Sequence, residues 1–432
     1  MVDLMVNEQR SGTVGKGVPA GYKLTEMEMI PEDWVVSTIL NLTTNIIDYR
    51  GRTPKKLGMD WGDGDIVALS AANVKKGYID LSTECYFGSE ELYKRWMTSG
   101  HPQKGDIAFT MEAPLGNAAS IPDNRKYILS QRTILLQIDR ENFSPSLILQ
   151  ILLSERFQSY ISESATGSTA QGIKRSVLEK LYISIPKSIV EQKAIANVLT
   201  NVDSLILSLE KLLSKKQSIK TATMQQLLTG KTRLPQFALR KDGSAKGYKK
   251  SELGEIPEDW IVSTFSSVMK IRHGKNQKHV ECLDGEYPIY ATGGQIGKAN
   301  AFLYNKPSVL IGRKGTIDKP RYTDKPFWTV DTLFYSEISE SADAQFIYYQ
   351  FCMIDWMQYN EASGVPSLNA GTIESIQTVL PSIEEQTAIT TILSDMDKEI
   401  QTLQQRLDKT RQLKLGMMQE LLTGKTRLTA RD

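Results

Sequence analysis

A capped helical stretch written twice constrains this chain more than any other feature. Residues 188 to 230 open on Ser188 with Glu191 three positions on, just after Pro186, and close on Leu-Leu-Thr-Gly at Gly230. Ser-x-x-Glu is a helix N-cap pattern, and glycine suits the left-handed residue that ends a helix. Residues 382 to 424 repeat the arrangement with Ser382, Glu385, Pro381 and Gly424, each helix position 194 residues later. Both stretches therefore predict long helices, about forty residues and roughly 60 Å at 1.5 Å per residue.

Apolar residues recur along both at spacings of four and three. The first carries Ile195, Leu199, Val202, Ile206, Leu209, Leu213 and, later, Leu227; the second carries Ile389, Leu393, Met396, Ile400, Leu403, Leu407, then Met417 and Leu421. This heptad seam requires a partner helix, and the other copy is the obvious one. The seam lapses at Lys216, Lys220 and Thr223 in one helix and at Thr410 and Lys414 in the other, where the lysines are expected to snorkel into solvent.

A second repeat flanks the helices. Gly-Tyr-Lys at 21 to 23 and Ile-Pro-Glu-Asp-Trp at 30 to 34 return at 247 to 249 and 256 to 260, now 226 positions later. Lys-Thr-Arg-Leu follows both helices, at 231 and 425, so the middle of the chain reads as its C-terminus joined to its N-terminus. The chain is a circular internal duplication around two inserts of different length, about 35 to 185 and 261 to 380. Each insert shows short strands, a helix (145 to 161; 344 to 357) and a polar glycine-containing loop.

The fold class expected is α+β, with two domains of mixed β-sheet and short helices joined by two long antiparallel coiled-coil helices in pseudo-two-fold order. The divisions expected are a tail 1–24, a first domain 25–187, a helix 188–230, a basic linker 231–253, a second domain 254–381, a helix 382–424 and a tail 425–432.

Several functions are disfavoured. Leu-Leu-Thr-Gly-Lys-Thr, at 227 and 421, lacks the earlier glycine of a P-loop and ends a helix instead of opening one. His273, His279 and Cys282 have no zinc spacing and read as surface residues, so no metal site is expected. No catalytic motif is apparent, and a nucleotide hydrolase or a coiled-coil protein-binding scaffold are the alternatives to a binding role. Cysteines at 85, 282 and 352 suggest a reducing compartment, and with no apolar run of membrane-spanning length the expectation is cytoplasmic, without membrane partners.

Both inserts carry basic and amide side chains suited to phosphates and base edges. In the first these are Arg50, Arg52, Lys55, Lys56, Asn73, Lys75, Lys76, Gln131 and Arg132, with Ser168, Thr169, Gln171 and Lys174 around the polar loop. In the second they are Arg272, Lys275, Asn276, Lys278, Thr292, Gln295, Arg313 and Lys314, with Ser367 and Asn369.

The twice-used Gly-Tyr-Lys and Ile-Pro-Glu-Asp-Trp phrases, the Glu-Gln pairs at 191 and 385, the Leu-Leu-Thr-Gly-Lys-Thr-Arg-Leu endings and the circular order resemble the specificity subunits of type I restriction-modification enzymes. The resemblance spans essentially the whole chain. It implies a non-catalytic subunit whose two target-recognition domains each read half of a split asymmetric site in double-stranded DNA. It also implies that the helices space the domains and receive two modification subunits. No cofactor is implied in this chain; S-adenosylmethionine for adenine-N6 methylation belongs to the modification subunits, and ATP and Mg to restriction subunits where present.

With 52 basic and 50 acidic residues the net charge is only +2. The isolated chain is therefore expected to bind DNA weakly and its complex with modification subunits strongly. Titrating a target duplex with each checks this; equal affinities would contradict it.

Overall fold

The computed structural model describes residues 18–26, 28–167 and 171–428, which form two compact units. The first takes in residues up to Ser208 and from Leu407; the second runs from Leu209 to Arg406, so each division falls inside a long helix.

The first unit opens with the hairpin β1 (Tyr22–Leu24) and β2 (Met29–Pro31), then β3 (Trp34–Thr38) and β4 (Thr43–Asp48). There follow β5 (Ile66–Leu69), β6 (Tyr86–Gly88), α1 (Glu90–Trp96), β7 (Ile107–Thr110), β8 (Ala118–Ser120), β9 (Tyr127–Leu129) and β10 (Thr133–Ile138). The insert ends with α2 (Pro145–Leu153), α3 (Glu155–Ser164), α4 (Arg175–Leu178) and β11 (Tyr182–Pro186), which pairs back with β3. The single helix expected at 145 to 161 is thus two, because Ser154 leaves helical geometry and its hydroxyl accepts from the Phe157 amide as the cap of the second.

An antiparallel sheet in the order β4-β10-β7-β8 carries apolar residues on both faces. Ile107, Phe109, Ile134 and Leu136 point into one core with α2, α3 and the start of the long helix; Ala108 and Leu135 point into another with α1, β5 and β9. Alternate side chains of a strand face opposite ways, so a strand covered on both sides reads as an unbroken apolar run. The smaller sheet, β6-β5-β9, holds a parallel pair, β5 with β9.

The helix α5 (Ile189–Leu228) leads into the second unit. There a short α6 (Pro235–Ala238) precedes the hairpin β12 (Tyr248–Ser251) and β13 (Gly254–Pro257), followed by β14 (Ile261–Thr264), β15 (Met269–His273), β16 (Tyr287–Ala291) and β17 (Gly294–Ala299). Next come β18 (Ser308–Gly312), β19 (Arg321–Thr323), β20 (Trp328–Thr329), β21 (Leu333–Ile338), α7 (Ala344–Met353), α8 (Ala370–Ser375), β22 (Gln377–Leu380) and the long α9 (Ile383–Leu421). The expected helix 344 to 357 stops at Met353, and a 3-10 turn, Trp356–Tyr359, continues after it. The sheets repeat the first unit: β15-β21-β18-β19, the mixed β17-β16-β20, and the pairs β12-β13 and β14-β22.

Within each unit the start of one long helix lies antiparallel to the end of the other. In the first unit Met418 and Leu421 join Ile195 and Leu199 in one core; in the second Met224 and Leu227 join Ile389 and Leu393. Met418 is the deeply buried methionine near that helix end, whereas Met417, placed in the seam by its spacing, is only half-buried. The lysines expected to snorkel outward do not simply do so. Lys220 bonds Asp397 at 2.5 Å and Lys216 bonds Glu399 at 2.7 Å in the second unit, and Lys414 bonds Asp203 at 2.7 Å in the first. Tyr349 donates to Asp397 in one unit and Gln150 to Asp203 in the other. These matched bridges tie each helix end to the next helix and to its domain.

The repeated phrases build one joint twice. Tyr22 donates to the Gly424 carbonyl and Tyr248 to the Gly230 carbonyl, both at helix ends. Lys23 donates to the carbonyls of Glu32 and Trp34, and Lys249 to those of Glu258 and Trp260. Gly230 and Gly424 both have φ of 71°, and a Cβ on either would strike Pro257 or Pro31. Glycine is thus required by conformation and by close approach.

At the centre of each joint, Arg233 bonds Glu385 (2.5 Å) and Asp259 (2.7 Å), and Arg427 bonds Glu191 (2.7 Å) and Asp33 (2.5 Å). Ser188 and Ser382 accept from the amides of Glu191 and Glu385 as expected, but both glutamate carboxylates are buried and turned to these arginines. Gln192 and Gln386 are buried beside them: each accepts a backbone amide of the preceding domain, Ser144 or Asp343, and donates to the Pro186 or Pro381 carbonyl.

Breaking a buried ion pair from one side leaves an uncompensated charge, so Arg233→Ala is expected to cost about 3–5 kcal/mol in denaturant unfolding. In the other joint, hydrogen bonding from Arg427 holds the Asp33 carboxyl below its ordinary range. A lowered native value means that its stabilisation is complete above pH about 4 and fades as pH falls through the native value. Arg427→Ala should flatten that part of the acid stability profile.

Candidate nucleic-acid interface

Four of the basic and amide residues separated widely in sequence meet at one place in the first unit. Arg52, Lys55, Gln131 and Arg132 line an open cleft of about 530 Å³ at one end of β5 and β9. Its walls are the loop after β4, the turn after β5, Tyr86 on β6 and the turn between β9 and β10. Trp61 stacks on Tyr86 with ring centres 5.7 Å apart and leans on buried Trp96 at 5.4 Å, giving the wall an aromatic floor. Arg52 donates to the Trp96 carbonyl and lies over the Tyr49 ring at 4.8 Å, which fixes the loop that presents exposed Lys55.

The turn at Gln131 and Arg132 exposes both side chains. Arg132 has φ of 66°, unusual for a residue with a Cβ, and its carbonyl accepts from the Met111 amide. A backbone held in so sparsely populated a region marks a position fixed by its surroundings. Across the turn Arg132 faces Glu112 at 3.6 Å, and Glu112 bridges to Gly172 in the loop carrying Gln171 and Lys174, both exposed.

The remaining candidates of this unit divide differently. Asn73 is buried and holds its own loop: its carbonyl accepts from Ser70, and its amide donates to the Asp80 carbonyl. It is not presented to a partner, which corrects the sequence expectation; an amide after a strand tip serves the turn as readily as a ligand. Arg50 is engaged with Asp48. Burial acts to raise the Asp48 pKa, but the bonds from Arg50 outweigh it and leave the carboxyl below its usual range. Lys56 donates to the Gly51 carbonyl, and Lys75 and Lys76 sit in a tight loop closed by Lys75 on Tyr78. Ser168 and Thr169 lie outside the described residues.

In the second unit Arg313 and Lys314 follow β18, and Lys314 bridges to Ser367. A Cβ on neighbouring Gly315 would lie 3.7 Å from Thr292, so this segment adjoins the β16–β17 turn, just before exposed Gln295 on β17. Asn369 caps α8 through Gly371 while remaining exposed. Arg272 pairs with Glu337 at 2.9 Å along the sheet. Lys275 is exposed, with its carbonyl accepting from Trp328, and Asn276 closes a turn onto the Lys278 amide. Trp61 and Tyr86 were missed by sequence reading; for Trp61 the available signal was an aromatic residue within a run containing Gly58, Gly62 and Gly64.

Much of the linker's positive charge is spent internally, Arg240 on Glu258 and Lys246 on Asp259. No helix among the described residues is long and apolar enough to cross a membrane.

Two sheet-bearing units, each clamped to long helices and each with a basic rim, define a class. A family model described as type I restriction modification DNA specificity domain matches residues 31–221 and 257–411. The chain belongs to that family. It is similar to the type I restriction enzyme MjaVIII specificity subunit of Methanocaldococcus jannaschii, 25% identical over 92% of this chain and 94% of that protein. It is also similar to the EcoDI specificity subunit of Escherichia coli, 23% identical over 39% of this chain and 38% of that one. The solved S subunit from M. genitalium shares the fold, with a TM-score of 0.61 and 17% identity over 92% of this chain and 97% of that one.

Exposed Lys55 and engaged Arg50 separate two roles. Lys55→Ala is expected to weaken DNA binding by the assembled complex on every sequence and reduce the salt slope by about one. Arg50→Ala is expected to lower the melting temperature while leaving that slope unchanged. Affinities at several salt concentrations and thermal unfolding of both variants test the distinction.

Proposed function

We propose that each unit reads one half of a split, asymmetric target in double-stranded DNA. In this reading the long helices set the gap between the half-sites and receive two modification subunits. Those subunits supply S-adenosylmethionine and methylate adenine at N6, and restriction subunits, where present, add cleavage driven by ATP and Mg. The chain itself contributes the address and no catalytic group, and acts in the cytoplasm.

One observation carries this reading. The joints are built twice from the same residue types, Tyr22, Lys23, Glu191 and Arg427 matching Tyr248, Lys249, Glu385 and Arg233, while the inserts between them carry different exposed side chains. A constant frame around two unlike rims suits two unlike readers held by one architecture. Base edges are read by such exposed side chains, whereas most polar groups of the frame are paired internally.

Replacing residues 35 to 185 with the corresponding insert of a relative is therefore expected to change one half of the methylated site and leave the other intact. Mapping methylated adenines across a genome with each chain reads the result. Change in both halves would show coupled readers, and no DNA methylation dependent on the chain would favour a protein-binding scaffold.

A further inference from the structure

The backbone pairing makes the rims of the two units comparable position by position. In the first, Thr110 pairs with Thr133, the Met111 amide bonds the Arg132 carbonyl, and Glu112 bridges to Gly172. In the second, Gly312 pairs with Leu333, the Arg313 amide bonds the Thr332 carbonyl, and Lys314 bridges to Ser367. Glu112 therefore occupies the place of Lys314, and Gln131 and Arg132 the places of Asp331 and Thr332.

The sign of the charge at the strand end is reversed between the units, and the facing turn carries the opposite sign at adjacent positions, Arg132 in one and Asp331, the match of Gln131, in the other. In the first unit the anion ends the strand at Glu112 and the cation sits in the facing turn at Arg132, 3.6 Å away with both side chains about half exposed. In the second the cations end the strand at Arg313 and Lys314, and the anion sits in the facing turn at Asp331, whose carbonyl accepts from Arg313. Arginine and lysine pair with the O6 and N7 acceptors of guanine, and a carboxylate accepts from the N4 amino group of cytosine. A rim with cation and anion side by side matches one G·C pair across the major groove, and exchanging the charges matches the same pair reversed.

We infer that this rim is a specificity-determining pair, reading a G·C base pair in opposite orientation in the two half-sites. The inference rests on the DNA-reading function proposed above and adds to it which side chains discriminate.

The test uses the full chain in complex with its modification subunits, selecting from random duplexes. Glu112→Lys with Gln131→Asp and Arg132→Asn gives positions 112, 131 and 132 the charges of their matches 314, 331 and 332; asparagine tolerates the left-handed backbone at 132. The net charge is unchanged, so the salt slope should stay as in the parent. One position of one half-site should switch from G·C to C·G by roughly 10- to 100-fold, with the other half-site untouched. The reciprocal variant, Lys314→Glu with Asp331→Gln and Thr332→Arg, should switch the other half-site alone, and it decides the matter if the first does not fold. A parent that selects a split site while folded variants select the same one overturns this inference only. A parent complex that selects no sequence overturns the DNA-reading function itself.

Discussion

The guanidinium of Arg233 inside the second unit, and of Arg427 inside the first, is the contact on which the architecture turns. Each meets a buried glutamate at the start of one long helix and an aspartate beside the tryptophan that opens a domain, while itself lying just past the end of the other helix. Three segments remote in sequence are fixed at one point. A carboxylate as enclosed as that of Glu191 or Glu385 is tolerated only when paired and hydrogen-bonded, so the joint forms whole or is strongly penalised. The planar fork of arginine, which engages two carboxylates at once, suits this place in a way that lysine would not.

Around that contact the polar groups are nearly all committed to holding the frame. Tyr22 and Tyr248 satisfy helix-end carbonyls, Gln192 and Gln386 tie the helix starts to the preceding domains, and Lys220 and Lys414 bridge to aspartates along the helices. The basic linker is drawn into the same economy. Exposed cations remain on the strand ends and turns of the two inserts, Lys55, Arg132 and Lys314 among them. Frame and reader are therefore separable in chemical terms: buried, reciprocally bonded polar groups in one, exposed and strained or loop-borne ones in the other.

The Thr-Gly-Lys-Thr segments illustrate how local pattern and tertiary use diverge. As sequence they raise a phosphate-binding loop; as structure each is a helix end whose glycine presses against a proline and leads to the clamping arginine. The residues that would have cradled a nucleotide instead terminate a helix, a use for which the left-handed glycine is equally apt.

The duplication, its circular order, the two long helices and most strands were legible in the sequence, because caps, heptads and alternating runs are local and the repeat displayed each of them twice. What the apolar pattern left open was set by tertiary contact. Ser154 divides α2 from α3, Met418 and not Met417 reaches the core, and the lysines of the broken seam find carboxylates on the neighbouring helix. The candidate site was legible only as composition. Residue type alone grouped Asn73 with Lys55, although one is consumed by its loop and the other faces solvent, since an amide serves a turn and a partner by the same hydrogen bonds. Arg52 and Arg132 came together at one cleft because the pairing of β4 with β10 carried their loops to the same edge. Sequence determined the frame, whose physics is short-range and periodic; only the tertiary structure decided which exposed side chains share a rim, since that depends on sheet order across about eighty residues of chain.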